Sequence, residues 1–313
     1  MAIRKRMSVP HFFERDASYL HLVKAGLIEC GATALFLFFT IGTITSGCRA
    51  SSNTQVSGNS AGLAGVAPGA CALQVPNITN IALAFGISIF VLVYATAAYT
   101  GGHLNPAVSL GLVVAGRISF VRGLVYTICQ VLGATIGAAL IRAVDPLAFA
   151  AIGGGANKLA TEVTYGQAWG MEAILTFSLV MMVFAATDNF HAAKVSHLPV
   201  LAPLAIGMTV FVCHLVAVPI DGCSINPARS FGPALAANRW HHQWVFWVGP
   251  YAGAIVAALV YELAFRDHPA VLKKGMDIEE GDEKVPSVPS VASGKFPHIT
   301  SGPEAGKAMP AQA

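Results

Sequence analysis

The chain has 313 residues, 55% hydrophobic and 11% charged, whereas soluble globular domains carry about 25% charged residues. Its 19 Lys and Arg against 16 Asp and Glu leave a formal charge of +3. No basic stripe interleaved with aromatics appears, which argues against a nucleic-acid partner. From Ala50 to Gly116 there is no Asp, Glu, Lys or Arg. Such a composition points to a chain that crosses a membrane several times.

A helix needs about 20 apolar residues to cross a hydrocarbon core roughly 30 Å thick. Taken in chain order, stretches near Leu22–Ile44, Asn80–Tyr99, Val121–Ala143, Gln167–Thr187, Pro199–Pro219 and Gln243–Phe265 meet that length. Two shorter apolar pieces, about Asn105–Ala115 and Asn226–Ala237, are too short to span and are expected as re-entrant half-helices. The predicted fold is an all-α membrane bundle of six transmembrane helices plus two half-helices. Expected boundaries are a cytoplasmic amino-terminal segment over 1–21, the membrane domain over 22–265, and a disordered cytoplasmic tail over 266–313. The opening segment lacks a continuous apolar core and precedes a full-length span, so a cleavable signal peptide is not expected.

Cytoplasmic loops carry the excess of Lys and Arg. Arg4, Lys5, Arg6, Arg15 and Lys24, then Arg117 and Arg122, then Lys194, and finally the basic residues of the tail all fall on one side of a six-span chain. Both termini are therefore expected in the cytoplasm. The segment Thr45–Pro76 is read as an extracellular loop. It contains Cys48 and Cys71, for which a disulfide is open, and borders the sequon Asn77-Ile78-Thr79, expected to be unmodified so close to the membrane. Cys30, Cys129 and Cys213 are read as small apolar packing residues.

The chain repeats itself. Leu83-Ala84-Phe85-Gly86 precedes Asn105-Pro106-Ala107 with 19 positions from Gly86 to Asn105, and Leu204-Ala205-Ile206-Gly207 precedes Asn226-Pro227-Ala228 with the same 19 from Gly207. Glu29-x-x-x-Thr33 and Glu172-x-x-x-Thr176 open the two halves, and Gly133-Ala134 pairs with Gly253-Ala254 in their closing spans. Equivalent points lie three spans apart, an odd number, so the halves have opposite topology. The two Asn-Pro-Ala triplets then meet near the midplane, each Asn capping a helix that begins with Pro. Two positive dipole ends, each worth about half an elementary charge, face each other there.

Gly101-Gly102-His103-Leu104-Asn105-Pro106-Ala107-Val108 and Gly222-Cys223-Ser224-Ile225-Asn226-Pro227-Ala228-Arg229-Ser230 resemble the signatures of the aquaporin family. Gly153-Gly154-Gly155-Ala156-Asn157, Ser196–Leu204 and Phe246–Pro250 are most similar to plasma-membrane intrinsic proteins of plants and green algae. The resemblance implies a narrow pore in which the Asn105 and Asn226 amides donate to one passing water, turning its hydrogens outward and breaking a proton wire. It also implies a second constriction at Phe85, His214, Cys223 and Arg229, with Arg229 supplying fixed positive charge. Glycerol-permeable relatives carry a smaller residue at the histidine position and Asp after the arginine; here Ser230 follows it. Cys223 stands where plant members commonly have Thr, and predicts sensitivity to mercury.

Glu29 and Glu172 are intramembrane carboxyls, expected to accept hydrogen bonds from main-chain N–H groups of the re-entrant loops. His197 and Leu201 match a cytoplasmic gate of the plant family, with Glu14 or Asp16 as the acid partner of a protonated histidine and Ser119 as a phosphorylation candidate.

The expected activity is passive, water-selective flow through a plasma-membrane homotetramer with one pore per subunit. Its partners are water and the lipid bilayer, and no cofactor or metal is expected. The alternatives are a channel for other small neutral solutes such as hydrogen peroxide, carbon dioxide, urea or glycerol, a coupled secondary transporter, and an adhesive protein with a vestigial pore. No nucleophile–base constellation, metal-ligand spacing or nucleotide loop occurs, so an enzyme is not expected.

Overall fold

A computed structural model describes residues 18–57, 77–187 and 198–265. The described residues form helices α1 (Tyr19–Ser57), α2 (Ile78–Thr100), α3 (Pro106–Val114), α4 (Phe120–Val144), α5 (Pro146–Ala151), α6 (Tyr165–Thr187), α7 (Leu198–Asp221), α8 (Pro227–Ala237) and α9 (Val245–Val260), with no strand among them. A 3₁₀ turn at Gly153–Gly155 follows α5, and a π-helical turn at Tyr261–Phe265 extends α9. Six of the helices, α1, α2, α4, α6, α7 and α9 with its π turn, are long and apolar enough to cross a membrane. At about 1.5 Å per residue, α3 and α8 reach only about halfway across a hydrocarbon core.

Alpha-1 is longer than expected. The residues from Thr45 to Ser57, read from sequence as loop, continue the helix. Hydroxyls toward its carboxyl end fold back onto the backbone, Thr43 onto Phe39 O at 2.8 Å and Thr45 onto Gly42 O at 2.8 Å. These bonds satisfy polar side chains without leaving the helix. Cys48, buried on the same helix, is disulfide-bonded, and Cys71 lies outside the described residues. Asn77, the sequon asparagine, caps α2 by accepting from Thr79 N at 2.9 Å. Cys30, Cys129 and Cys213 are free thiols, and Cys213 is buried.

The packing follows the inverted repeat. In one half α1 packs on α4, in the other α6 packs on α9, and α2 crosses α7 between the halves. Alpha-3 packs on α9, and α8 on α4, so each half-helix rests on the closing span of the other half. Small residues make these approaches close. A Cβ at Gly133 would strike Cys30 O of α1, and one at the equivalent Gly253 would strike Ala173 O of α6. The outward faces carry Leu27, Leu35, Val91, Leu132, Ile174 and Val256, all exposed and apolar, as a lipid-facing surface requires.

Candidate functional site

The two re-entrant loops are built alike. Asn105 and Asn226 are both in extended backbone, and each accepts through Oδ1 from the N–H two residues on, Ala107 at 2.8 Å and Ala228 at 3.0 Å. Pro106 and Pro227 occupy the first helical position, where no N–H is needed. The residues just before the caps, Leu104 and Ile225, have φ of 50° and 46°. Such left-handed backbone is unfavourable for branched side chains and persists only where surroundings hold it.

Two buried carboxylates hold it. Glu29 Oε1 accepts from His103 N at 3.0 Å, and Oε2 from Leu104 N at 2.8 Å. Glu172 Oε1 accepts from Ser224 N and Oε2 from Ile225 N, both at 2.6 Å. Each therefore binds the two N–H groups immediately before an Asn cap. Their surroundings differ. Glu29 also accepts from Thr100 Oγ1 at 2.6 Å and Gln130 Nε2 at 2.8 Å, and Gln130 continues to Ser109 Oγ, which bonds His103 Nδ1 at 3.0 Å. Behind the second loop the polar side chains are Ser224, Ser230 and Asn157, with Ser230 Oγ donating to Asn157 Oδ1 at 2.8 Å.

The loops also bind each other. Asn105 Nδ2 donates to Ile225 O at 2.8 Å, and Asn226 Nδ2 donates to Leu104 O at 2.9 Å. A carboxamide nitrogen carries two N–H donors, so each asparagine retains one for whatever occupies the space beside it. That space is a cavity of about 410 Å³. It is lined by both asparagines along a polar seam from Gly101 to His103 and from Ser224 to Ile225, faced by apolar Ile89, Val93, Leu179 and Ile206.

At one end the cavity reaches His214; at the other it reaches Arg117, Thr187 and Ala202. Beyond His214 lie the other three residues of the expected constriction, all buried. Phe85 and His214 stack with ring centroids 4.0 Å apart, and the Arg229 guanidinium carbon lies 5.0 Å from the Phe85 centroid. Arg229 donates to Gly155 O at 2.9 Å and Gly222 O at 3.4 Å. His214 donates through Nδ1 to Val210 O, 2.8 Å away. Its Nε2 and the Arg229 Nε have no protein partner among the described residues.

The far end is fixed by different chemistry. Arg117 follows the left-handed Gly116, just past the Ala115 cap of α3, its guanidinium 4.6 Å from the Phe184 ring centroid and 3.4 Å from Glu262. Ser119 accepts from Arg122 N at 3.1 Å as the amino-terminal cap of α4. Leu201 is exposed at the start of α7, next to the cavity-lining Ala202. His197, Glu14 and Asp16, the remaining gate candidates, lie outside the described residues.

Sequence reasoning missed several polar residues here. Gln130 was a visible signal, an amide inside an apolar span. Asp221 is the main omission. It is fully buried at the end of α7, adding a carboxyl to the three ionisable groups expected deep inside, Glu29, Glu172 and Arg229. Its signal was the Asp-Gly pair, which reads as an ordinary turn. No group of three or more metal-binding side chains occurs among the described residues.

Comparison with known proteins identifies the family. A family model described as major intrinsic protein matches residues 16–261. Aquaporin PIP2-5 of Oryza sativa subsp. japonica is 44% identical over 248 residues, covering 78% of this chain and 84% of that protein. Aquaporin PIP1-3 of Arabidopsis thaliana is 43% identical over 263 residues, covering 83% and 85% respectively. Among solved structures, the aquaglyceroporin from Plasmodium falciparum superposes with a TM-score of 0.60 at 20% identity, covering 81% of this chain and 99% of that one, a likeness of fold. With six membrane-length helices, two half-helices meeting at their Asn caps and a family match over most of its length, the chain belongs to the major intrinsic protein family of multi-pass membrane proteins.

Proposed function

We propose that the chain is a passive water channel, not an enzyme, and that the polar seam beside Asn105 and Asn226 is its conduction path. The observation that carries this reading is the reciprocal pairing of the two asparagines with Ile225 O and Leu104 O. That pairing orients both carboxamides and leaves each with one N–H. A water accepting both bonds must direct its own hydrogens away along the pore, one toward each neighbour. No continuous hydrogen-bonded chain can then carry a proton past it. The amino ends of α3 and α8 add positive potential at the same point, which disfavours cations. Phe85, His214, Cys223 and Arg229 form the selectivity constriction, where His214 Nε2 and Arg229 Nε are polar atoms without protein partners among the described residues. Glu29 and Glu172 brace the loops.

Location in the plasma membrane, cytoplasmic termini, and assembly as a homotetramer with one pore per subunit belong to this reading. They are supported by the plant relatives' similarity and by the placement of Lys and Arg. Gating by cytosolic acid through His197 and Leu201, with Glu14 or Asp16 as partner, is proposed on the same similarity. Phosphorylation of Ser119 would act at the amino-terminal cap of α4. Vesicles carrying His197→Ala should stay open when the cytosolic face is acidified, and full retention of closure would rule His197 out.

Stopped-flow shrinkage of proteoliposomes, with an impermeant osmolyte and a proton-sensitive dye inside, tests the main reading. Fast water flow with low activation energy and no proton entry is expected. Flow at the level of empty liposomes would overturn it, and rapid re-swelling in glycerol would move the assignment to a solute channel.

A further inference from the structure

We propose that Asp221 is the positioning residue of the outer constriction: the turn closed by its carboxylate sets where the Arg229 guanidinium sits. Asp221 ends α7 and is fully buried. Its Oδ1 accepts from Cys223 N at 2.9 Å, bridging Gly222. Such an Asp turn tolerates and stabilises unusual backbone just beyond it, and here φ is +85° at Gly222 and +53° at Cys223. The turn aims Gly222 O, which accepts from Arg229 at 3.4 Å.

The second support of the guanidinium passes through the same residue. Asp221 O accepts from Asn157 Nδ2 at 3.1 Å and from Lys158 N at 3.2 Å. These bonds fasten the segment that carries Gly155, whose carbonyl accepts from Arg229 at 2.9 Å. Gly155 O and Gly222 O are the hydrogen-bond acceptors of the guanidinium among the described residues. One is held by the Asp221 side chain and the other by its main chain. Displacing the turn therefore loosens both supports of the group that narrows the path, while the half-helices and their asparagines stay in place.

The proposal rests on the reading of Arg229 as bordering the conduction path, and the experiment separates the two. Glycerol and water permeabilities are measured on the same proteoliposomes, and their ratio is compared, because a ratio is independent of how much protein inserted. Asp221→Ala removes the acceptor. It should raise the glycerol-to-water ratio by at least about tenfold, the lower edge of what one altered contact does to discrimination in a shaped site. Asp221→Asn keeps an Oδ1 acceptor for Cys223 N and should leave the ratio near that of the wild type. Asp221→Glu keeps the charge but lengthens the side chain and should raise the ratio; it decides the question if the alanine variant fails to insert.

An unchanged ratio in the alanine and glutamate variants, with a raised ratio in Arg229→Val, overturns the role of Asp221 and leaves the reading of Arg229 intact. A ratio raised as much by asparagine as by alanine also overturns it, since charge and not the turn would then be responsible. An unchanged ratio in Arg229→Val overturns both.

Discussion

Gly86 and Gly207, equivalent positions of the internal repeat, meet where α2 crosses α7. A Cβ on Gly86 would lie 2.8 Å from Gly207 O, and one on Gly207 would lie 2.6 Å from Gly86 O. The pseudo-twofold relation between the halves thus passes through two backbones in contact, close to Phe85 and Ile206, their respective sequence neighbours.

Alanine at Gly86 or Gly207 has no room, because the nearest atoms include main chain that cannot swing aside. Each substitution should cost roughly 1–3 kcal/mol as overpacking, and both should lower the thermal unfolding midpoint of the purified protein. Gly31→Ala is the matched control, since no atom of the described residues lies within 4 Å of its Cβ. That variant should be neutral or slightly more stable, and an equal loss there would point to a general helix effect.

Replacing either loop-bracing carboxylate by its amide leaves one N–H facing an NH₂ group. At Glu172 both partners are main-chain donors, so Glu172→Gln should strand one of them, Ser224 or Ile225. A stranded buried donor costs roughly 1–3 kcal/mol. Glu29→Gln should lose a similar amount, because Gln130 can flip its amide and the Thr100 hydroxyl can turn toward Thr96 O. Alanine strands two main-chain donors at either site and should lose about twice as much. Yield of folded protein and its unfolding midpoint read this order, and an alanine variant as stable as the amide would contradict it.

Mercuric ion, a soft cation, should block water flow by binding Cys223 next to Arg229. Cys223→Ser should retain most of its flow under the same treatment, and Cys213→Ser should remain sensitive. Inhibition equal in both serine variants would place the reactive thiol elsewhere.

The Arg49–Asp145 pair joins the carboxyl-terminal part of α1 to the end of α4, at 2.9 Å and 2.6 Å. Hydrogen bonding from Arg49 holds the Asp145 carboxyl below its ordinary range. A carboxyl depressed in the folded state stabilises above its unfolded value, about 3.9, and loses that contribution as pH falls through the folded value. Asp145→Asn keeps the cap to Ala148 N but lacks the charge. Its unfolding midpoint should lie below that of the wild type at neutral pH, and the two should converge in acid. A gap that persists at low pH would show that the charge is not its cause.

Much of the arrangement was legible in one chain because its determinants are local. The Asn-Pro pairs specify capped helix starts, and run lengths separate spans from half-helices. The shared spacing from Gly86 to Asn105 and from Gly207 to Asn226 specifies the inverted repeat. Glu29 and Glu172 stood out because a carboxyl inside an apolar span needs donors. Other features were not local. The extension of α1 to Ser57 runs through a Gly-, Ser- and Ala-rich stretch whose composition reads as loop. Gln130 meets Glu29 across 101 positions, and Gly155 meets Arg229 across 74.

By itself the sequence determined the membrane class, the doubled topology and the residues that meet at the centre, since burial of apolar runs and capping of helix ends depend on near neighbours. The tertiary structure decided which donors those carboxylates take and that each Asn commits one N–H to the opposite loop. It also decided that Asp221, a turn residue in sequence, lies behind Arg229. These are pairings between distant segments, and only the packing of α2 on α7 and of each half-helix on the other half's closing span brings their atoms within hydrogen-bond distance.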